Sequence, residues 1–382
     1  MNKTIVCSNV KPYYEQRECD STITARFSKE TGLPFGSTTF LKYKPDNIHL
    51  AQQQDCVCHH CQEGHDAKVA LEVLMGNIHR NCNNCPRDAS CSAEKSLRKE
   101  DKEKAKNLRE KVAEYLEHKE IADHQAAAMR EAKHNLQEGE CLVVEDFAGR
   151  FLVKAALELS QNDYFARVGV PDLVVCVYSK KGGVVSSEII DIMGQTKEKD
   201  DFYYVRAAWM ELLNRNIFDG FRKIIIFSDG GPKHFKIRKS LYLFSLIDAA
   251  YPQKFQWNFF QSCHGKGPCD AHVGYMKNLL KREILRGEIV NDKDDLIELF
   301  EEKALKAKII EVAVNRDEVD CTEFKQGIRK YFSFEFEGPG KIRCFRKTGD
   351  RESVLQVISS KDELFLPVND KQTHRVIPMD LE

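Results

Sequence analysis

Three aspartates are the residues best placed to do chemistry, because each lies at the end of a predicted strand or the start of a predicted helix. Asp146 follows one apolar run, Asp229 follows another, and Asp270 opens the helix after an aromatic strand. Gathered carboxylates repel one another unless divalent cations neutralise them, and Mg²⁺ and Mn²⁺ prefer oxygen ligands. Two such ions about 4 Å apart can activate a water or a 3'-hydroxyl and stabilise the leaving oxygen of a phosphodiester. The pattern therefore predicts metal-dependent cleavage or joining of DNA strands.

Other interpretations of these acids stay open. A single aspartate at a strand end often forms a turn, and Asp270 alone would most often cap its helix. Glu145 could replace Asp146, although adjacent strand residues face opposite sides and only one should point at the site. Glu283, on the helix that Asp270 opens, is the rival third acid. Its alternative interpretation is a surface glutamate without a catalytic role.

Basic residues near the aspartates could contact a phosphate backbone. His264 and Lys266 are candidates for a scissile phosphate or its developing charge, although hydrogen bonds within the loop would explain them equally well. Lys233, Lys236 and Lys277 belong to basic rows that also contain Arg238, Lys239, Lys281 and Arg282. The alternative for these rows is a solvated helix face. The turn that contains His264 and Lys266 has a further interpretation, a zinc ion bound by Cys263, His264, Cys269 and His272.

Six cysteines close together predict a structural zinc site rather than disulfides. They are Cys56, Cys58, Cys61, Cys82, Cys85 and Cys91. Two Cys-x-x-Cys knuckles on either side of a short helix, residues 67–78, place four thiolates where tetrahedral zinc needs them. Cys58 and Cys61 with two of the later three would close the site, and Cys56, His60, His65 or His79 could replace a member. Reduced cysteines without metal are the alternative.

Composition and charge limit the class of protein. Hydrophobic residues make up 42% of the 382 residues, and no apolar run reaches membrane-spanning length. The first residues lack the apolar core of a signal peptide, so we expect an intracellular protein without a membrane partner, nuclear if eukaryotic. The net charge of -1 gives no global attraction to nucleic acid, so DNA binding must use local patches.

The predicted elements must bring the aspartates together. The pattern predicts a helical segment over residues 1–50, with a weak helix-turn-helix signal, and the zinc module over residues 51–92. It predicts a long charged helix over residues 93–138, which could mediate self-association. Residues 139–290 give three strands, then helix, strand, helix, strand and helix, which is the order of the ribonuclease-H-like fold, an α/β mixed sheet with flanking helices. Residues 151–160 and 172–179 are its second and third strands, and a run at 186–193 is left over. Residues 291–382 predict a helix and a small β-rich module.

Three histidines on or near the long helix have no convergent partner in the sequence, and we interpret them as surface residues. They are His118, His124 and His134. The helix alternates glutamates with lysines around its apolar stripe, which is typical of a solvated connecting helix or a coiled-coil arm.

Five stretches of the chain also carry a resemblance to a known family. They are residues 32–50, 56–61, 139–147, 227–236 and 257–270, and the block from His264 to Asp270 is the most specific of them. Over residues 30–285 the chain resembles eukaryotic transposon-derived proteins with a DDE-type, ribonuclease-H-like transposase domain. The resemblance implies that Asp146 and Asp229 are the first two catalytic acids and that Asp270 is the best candidate for the third.

The chain departs from that family directly after the specific block. Members usually have Asp-Gly, a Gly-Gly pair and Lys-Arg, whereas this chain has Ala271, His272, Val273 and Gly274 after Asp270. Glycine is the residue that lets a backbone approach a phosphate closely. The second hypothesis is therefore a domesticated, catalytically inactive scaffold that binds DNA or protein through the same surfaces.

Overall fold

A nine-stranded mixed sheet lies at the centre of the described residues, and helices cover its faces. This computed structural model describes residues 58–79, 98–153, 169–231, 233–304, 307–318, 320–322 and 327–360. The predicted segment 1–50 and the predicted ligands Cys56, Cys82, Cys85 and Cys91 lie outside them. The α/β class, the mixed sheet and its flanking helices, as predicted from the sequence, are confirmed.

In the described residues, helices and strands alternate only from the third strand to the fifth helix, between a run of three strands and a final group of four. In chain order they are α1 (His59–His79), α2 (Lys99–His134), β1 (Glu140–Leu152), β2 (Gly169–Lys181), β3 (Val184–Met193), α3 (Phe202–Asn214), β4 (Lys223–Ser228), α4 (Arg238–Ala250), β5 (Lys254–Phe259), α5 (Pro268–Leu285), α6 (Lys293–Lys303), β6 (Ala307–Glu311), β7 (Ser333–Gly338), β8 (Lys341–Phe345) and β9 (Ser353–Val357). Aspartate side chains cap two of the helices, Asp201 before α3 and Asp292 before α6. In the described part of the chain, no helix has both the length and the apolar composition needed to span a membrane.

Five neighbouring strands determine where the aspartates lie. β1 is antiparallel to β2 and parallel to β4, β3 is antiparallel to β2, and β5 is parallel to β4. The local order is therefore β3-β2-β1-β4-β5. The apolar runs at 141–144 and 224–227 are typical of strands buried on both faces. The described part of the predicted strand 151–160 belongs to β1, which runs to Leu152, so the leftover run at 186–193 falls in β3.

Alternating side chains of the central strands divide the core into two halves. One half packs under α3 and α4 around Trp209 and Phe244. The other half packs under α5, α6 and the end of α2, and it contains Val144, Phe227 and Met276. Burial of each such large apolar side chain stabilises the fold by about 1.5 to 3 kcal/mol. The sheet position of β1 and β4 is therefore fixed from both sides.

The second half of α2 differs from the solvated helix that its charge pattern predicts. Gln125 is fully buried, and its amide nitrogen donates hydrogen bonds to the carbonyl oxygens of Phe259, at 2.9 Å, and Phe332, at 3.2 Å. Its amide oxygen accepts from the backbone nitrogen of Thr348 at 3.0 Å. Because one glutamine satisfies backbone groups of several segments, α2 is docked on the ends of the sheet rather than exposed to solvent.

The last strands extend the central sheet, although the sequence suggests a separate β-rich module after residue 290. β6 pairs with β3 at one edge, and β7, β8 and β9 continue beyond β5 at the other. Phe334 and Phe336 of β7 are buried in the same core half as α4. Short alternating strands give no indication of whether they pair with one another or with an earlier sheet, and here they do both.

Candidate functional site

Asp146, in the middle of β1, lies beside Asp229, which directly follows β4. β1 and β4 are parallel, and Glu145 of β1 lies opposite Ser228 of β4. Asp146 and Asp229 are the next residues, and they continue this register. Neighbouring strands are about 4.8 Å apart. Phe227 packs toward α5, Ser228 faces the other side, and the alternation returns both aspartates to the α5 side of the sheet.

Asp270 reaches the same place from the first turn of α5. The thiol of the preceding Cys269 is buried and donates to the carbonyl oxygen of Val144 at 3.3 Å, which fixes this turn over β1 next to Asp146. The carboxylate of Asp270 is exposed and accepts a hydrogen bond from the backbone nitrogen of Gly267 at 2.8 Å. Asp270 therefore caps α5, as the capping interpretation predicts, and it also borders the other two acids.

Burial and neighbouring carboxylates raise the pKa of Asp146 and of Asp229. Burial, together with the charges of Asp229 and Asp270, raises the pKa of Asp146 to about 7. Burial and Asp270 raise the pKa of Asp229, while two following backbone amides and the charge of Lys236 lower it. Among the described acids, no three bring their oxygens within 4.8 Å of one another. The three groups thus border one space but remain further apart than ligands around a single ion.

Glu145, the alternative to Asp146, points into the opposite half of the core. Its carboxylate accepts hydrogen bonds from Nε1 of Trp209 at 2.9 Å and from the hydroxyl of Ser228 at 2.7 Å. The same hydroxyl oxygen accepts from Nε1 of Trp257 at 2.7 Å. Burial raises the pKa of Glu145 to about 7. Glu145 therefore belongs to a buried hydrogen-bonded chain that joins β1, α3, β4 and β5, on the far side of the sheet from Asp146.

Glu283, the rival third acid, is held by arginines of its own helix. Its carboxylate accepts hydrogen bonds from Nε of Arg282 at 3.1 Å and from Nη1 of Arg286 at 2.8 Å. These contacts lower its pKa. Asp270 contributes to the pKa of both other aspartates, whereas Glu283 is not among the charges that raise the pKa of either. Asp270, unlike Glu283, therefore lies close enough to affect the other two aspartates.

The predicted phosphate contacts fall into two groups. Lys236 is buried with its ammonium 3.6 Å from the ring centre of Phe332, and burial lowers its pKa to about 7. Lys277 donates a hydrogen bond to the carbonyl oxygen of Ala148 at 3.1 Å, beside the aspartates. Lys233 and Lys266 are exposed. Lys236 lies near Asp229 and Lys277 contacts β1 near Asp146, but both are already in contact with protein groups.

A basic cavity of about 810 Å³ opens next to Asp229. Gly230 lines it directly after that aspartate, and five cationic side chains line it against two acidic ones. The cations are Lys236, Arg238, Arg329, Lys330 and Arg346, and the acids are Glu114 and Glu117. Glu117 forms an ion pair with Arg346, which ties α2 to the segment after β8. The cavity thus joins the acidic region to a surface of net positive charge.

Two cysteines and two histidines meet on the other side of this cavity. Sγ of Cys58 lies 3.3 Å from Nε2 of His118, Sγ of Cys61 lies 3.4 Å from Nε2 of His264, and the two histidine nitrogens are 3.0 Å apart. All four ligand atoms lie within 4.8 Å of one another, so the cluster could hold a metal ion such as zinc. The interpretation of His118 as a surface residue is therefore wrong. His264, expected at a phosphate, instead turns its Nε2 toward the cysteines.

The zinc set considered for the turn after β5 does not assemble. The thiol of Cys269 bonds Val144, and Nε2 of His272 lies 2.8 Å from a carboxylate oxygen of the buried Asp191 on β3. His264 belongs to the Cys58 cluster, and Cys263 is exposed. These four side chains diverge because the helix start at Pro268 turns the later two toward the sheet.

Residues that sequence reasoning missed come from segments distant in the chain. His118 lies three and seven residues before Ile121 and Gln125, which is the spacing of one helix face, and this docked face could have indicated it. Arg329, Lys330 and Arg346 come from the C-terminal segment and carry no local pattern that points to the cavity.

The comparisons with known proteins identify a family and no activity. No curated protein and no solved structure matches the chain. One family model matches residues 125–348, which is more than half of the chain and includes Asp146, Asp229, Asp270, His264 and most of the sheet. Its boundaries start inside α2 and end after β8, in keeping with the docking of both segments on the sheet. The chain belongs to the family described as domain of unknown function DUF8701.

Proposed function

We propose that this chain is a transposase-like protein that cleaves or transfers DNA strands with divalent metal ions. The observation that carries the proposal is the approach of Asp146, Asp229 and Asp270 to one space from the middle of β1, the end of β4 and the start of α5. Carboxylates that border one space can hold the two divalent ions that phosphoryl transfer uses. We propose Mg²⁺ or Mn²⁺ as the catalytic ions and a nuclear location.

The strand order supports a ribonuclease-H-like fold for the central domain. Its three antiparallel strands β1 to β3 are followed by the parallel β4 and β5, in the spatial order β3-β2-β1-β4-β5. The acids come from β1, from the end of β4 and from the helix after β5, in the order that the resemblance to DDE-type transposases implies. We propose that the edge strands β6 to β9 are additions to this central unit.

The charges around the aspartates suit metal ions and a polyanion. Burial and mutual repulsion raise the pKa of Asp146 to about 7, so a divalent cation that compensates the charge would compete with that proton. Lewis-acid activation of the attacking oxygen is the chemistry that the ions would supply. The basic cavity beside Gly230 would hold a phosphate backbone, and Lys236, Arg329 and Lys330 would contact it.

One observation favours the second candidate, an inactive scaffold that binds DNA or protein. The carboxylate of Asp270 is used as the cap of α5, at 2.8 Å from the Gly267 nitrogen, and a metal ligand at this position would compete with that hydrogen bond. In the scaffold, the three acids would have structural roles only. DNA binding without cleavage is then expected.

The two candidates predict different results with labelled DNA. Purified full-length protein is incubated with labelled duplex and single-stranded DNA in Mn²⁺, beside an Asp229→Ala variant. We expect cleavage or strand joining by the wild type, and at least about a 1,000-fold lower rate for the variant, because a metal ligand is lost. Equal cleavage by both proteins, or cleavage by neither while DNA is still bound, would remove the catalytic proposal and leave the scaffold.

The identity of the third acid is tested by a matched pair of substitutions on α5. Asp270→Asn is expected to reduce cleavage at least about 100-fold, because its carboxylate borders Asp146, whereas Glu283→Gln is expected to change the rate less than about threefold. Asparagine at a first helical turn can still accept the bond from the Gly267 nitrogen, so the cap is kept. Loss of cleavage in Glu283→Gln with retention in Asp270→Asn would reverse the assignment.

A further inference from the structure

Four donor atoms from three distant segments converge as tetrahedral metal ligands do. Cys58 and Cys61 lie at the start of α1, His118 lies in α2, and His264 lies in the loop between β5 and α5. With Zn–S bonds of about 2.3 Å and Zn–N bonds of about 2.05 Å, tetrahedral ligand atoms are roughly 3.3 to 3.8 Å apart. The two sulfur–nitrogen separations, 3.3 and 3.4 Å, fall within this range, and the nitrogen–nitrogen separation of 3.0 Å falls just below it.

The surroundings of His118 also suit a metal ligand. A histidine that binds metal through Nε2 carries its proton on Nδ1, where a second group usually accepts it. The side-chain amide nitrogen of Gln261, in the same loop as His264, lies 2.9 Å from Nδ1 of His118. In the metal-bound form this amide would turn over, so that its oxygen accepts the Nδ1 proton. Cys58 is buried, and Cys61, His118 and His264 are half-buried, so the group is shielded but reachable.

We infer that Cys58, Cys61, His118 and His264 bind one zinc ion that fastens the loop between β5 and α5 to α1 and α2. This ligand set differs from a knuckle closed by Cys82, Cys85 or Cys91, because half of its ligands come from the helix and from the loop beside the aspartates. The loop continues through Gly265, where an added Cβ would lie 3.6 Å from Oδ1 of Asp229. Zinc would therefore also fix the position of the loop that borders Asp229.

Zinc content tests the ligand set without any assay of DNA cleavage. Full-length wild type, His118→Ala, His264→Ala and, as a control on the same helix, His134→Ala are purified, and bound metal is counted by mass spectrometry. His134 is exposed at the end of α2. We expect each of the first two variants to hold about one zinc fewer per chain than wild type and His134→Ala to hold the same number. Unchanged zinc content in His118→Ala and His264→Ala would overturn the inference.

A second measurement separates loss of a ligand from failure to fold. His264→Cys supplies a thiolate in place of the imidazole, so it is expected to keep the zinc, and its Co²⁺-substituted form should show stronger sulfur-to-metal charge-transfer absorption than wild type. Treatment of wild type with a chelator should raise the rate of amide hydrogen exchange in residues 112–122 and 260–267. The rate in the β2–β3 hairpin should not change. Identical Co²⁺ spectra for wild type and His264→Cys, or uniform exchange after chelation, would count against the site.

The zinc site and the catalytic proposal fail separately. The inference does not rest on the proposed function, because zinc content, Co²⁺ spectra and hydrogen exchange are measured without a cleavage assay. A protein with the zinc and without cleavage would keep this inference and reject the nuclease.

Discussion

Replacing Asp146 by asparagine is expected to stabilise the metal-free protein at pH 8 by roughly 1 to 2 kcal/mol while slowing metal-dependent DNA cleavage at least about 1,000-fold. The pKa of Asp146 is about 7 in the folded chain, against an ordinary value of 3.8. Between these two values the folded state holds the proton more tightly than the unfolded state, so stability falls as pH rises. Above pH 7 the full cost of the buried charge is present, and asparagine removes it.

Thermal unfolding at pH 5 and pH 8 measures this effect. At pH 5 the folded wild type is neutral at Asp146 but its unfolded chain is ionised there, so the variant should unfold only slightly higher, whereas at pH 8 it should unfold a few degrees higher. Mn²⁺ should raise the unfolding temperature of wild type at pH 8, because a ligand of the folded state stabilises it by mass action, and should have a smaller effect on the variant.

Asp219→Asn is the matched control for this experiment. Asp219 is exposed before β4, at the opposite end of the strand from Asp229, so the same change of charge occurs outside the acidic region. Its unfolding temperature, response to Mn²⁺ and cleavage rate should equal those of wild type. An equal Mn²⁺ response in Asp146→Asn and wild type would show that the ion binds elsewhere.

The strands that carry the aspartates could be predicted because their signals are local. The apolar runs before Asp146 and Asp229 are long enough to require burial on both faces, and the alternation of side chains separates Glu145 from Asp146 without reference to any other segment. The order of the elements then leaves few ways to connect a mixed sheet.

The partners of Cys58 and Cys61 could not be predicted because their signals are not local. The Cys-x-x-Cys spacing indicates half of a metal site, but His118 is 60 residues from Cys58 and His264 is 203 residues from Cys61. The folded position of α2 brings them together, and that position depends on one buried glutamine and on ion pairs such as Lys347 with Glu120 at 2.9 Å. The charge pattern of α2, which favours a solvated helix, conceals this docking.

The pair Arg329 and Lys330 is expected to supply much of the affinity for DNA, if the basic cavity holds a phosphate backbone. Both side chains line the cavity next to Gly230, and both are exposed, so their loss should leave the core intact. Each phosphate contact contributes about 0.9 to the slope of log affinity against log salt concentration. The double variant Arg329→Gln, Lys330→Gln should therefore lower the slope by about 1.8 and the affinity roughly 30-fold at 0.15 M salt.

Titration of labelled DNA at several salt concentrations measures this change, with Lys180→Gln, Lys181→Gln as the matched control. Lys180 and Lys181 are also adjacent, but they end β2 beside the start of β1, at the end of the sheet opposite Asp146. The control should keep the wild-type slope, because long-range charge alone is screened within about 8 Å at physiological salt. Equal slopes for the two double variants would mean that DNA does not occupy the cavity. A reduced slope for the cavity pair alone would place the phosphate backbone beside Asp229, where the attacking oxygen must reach it.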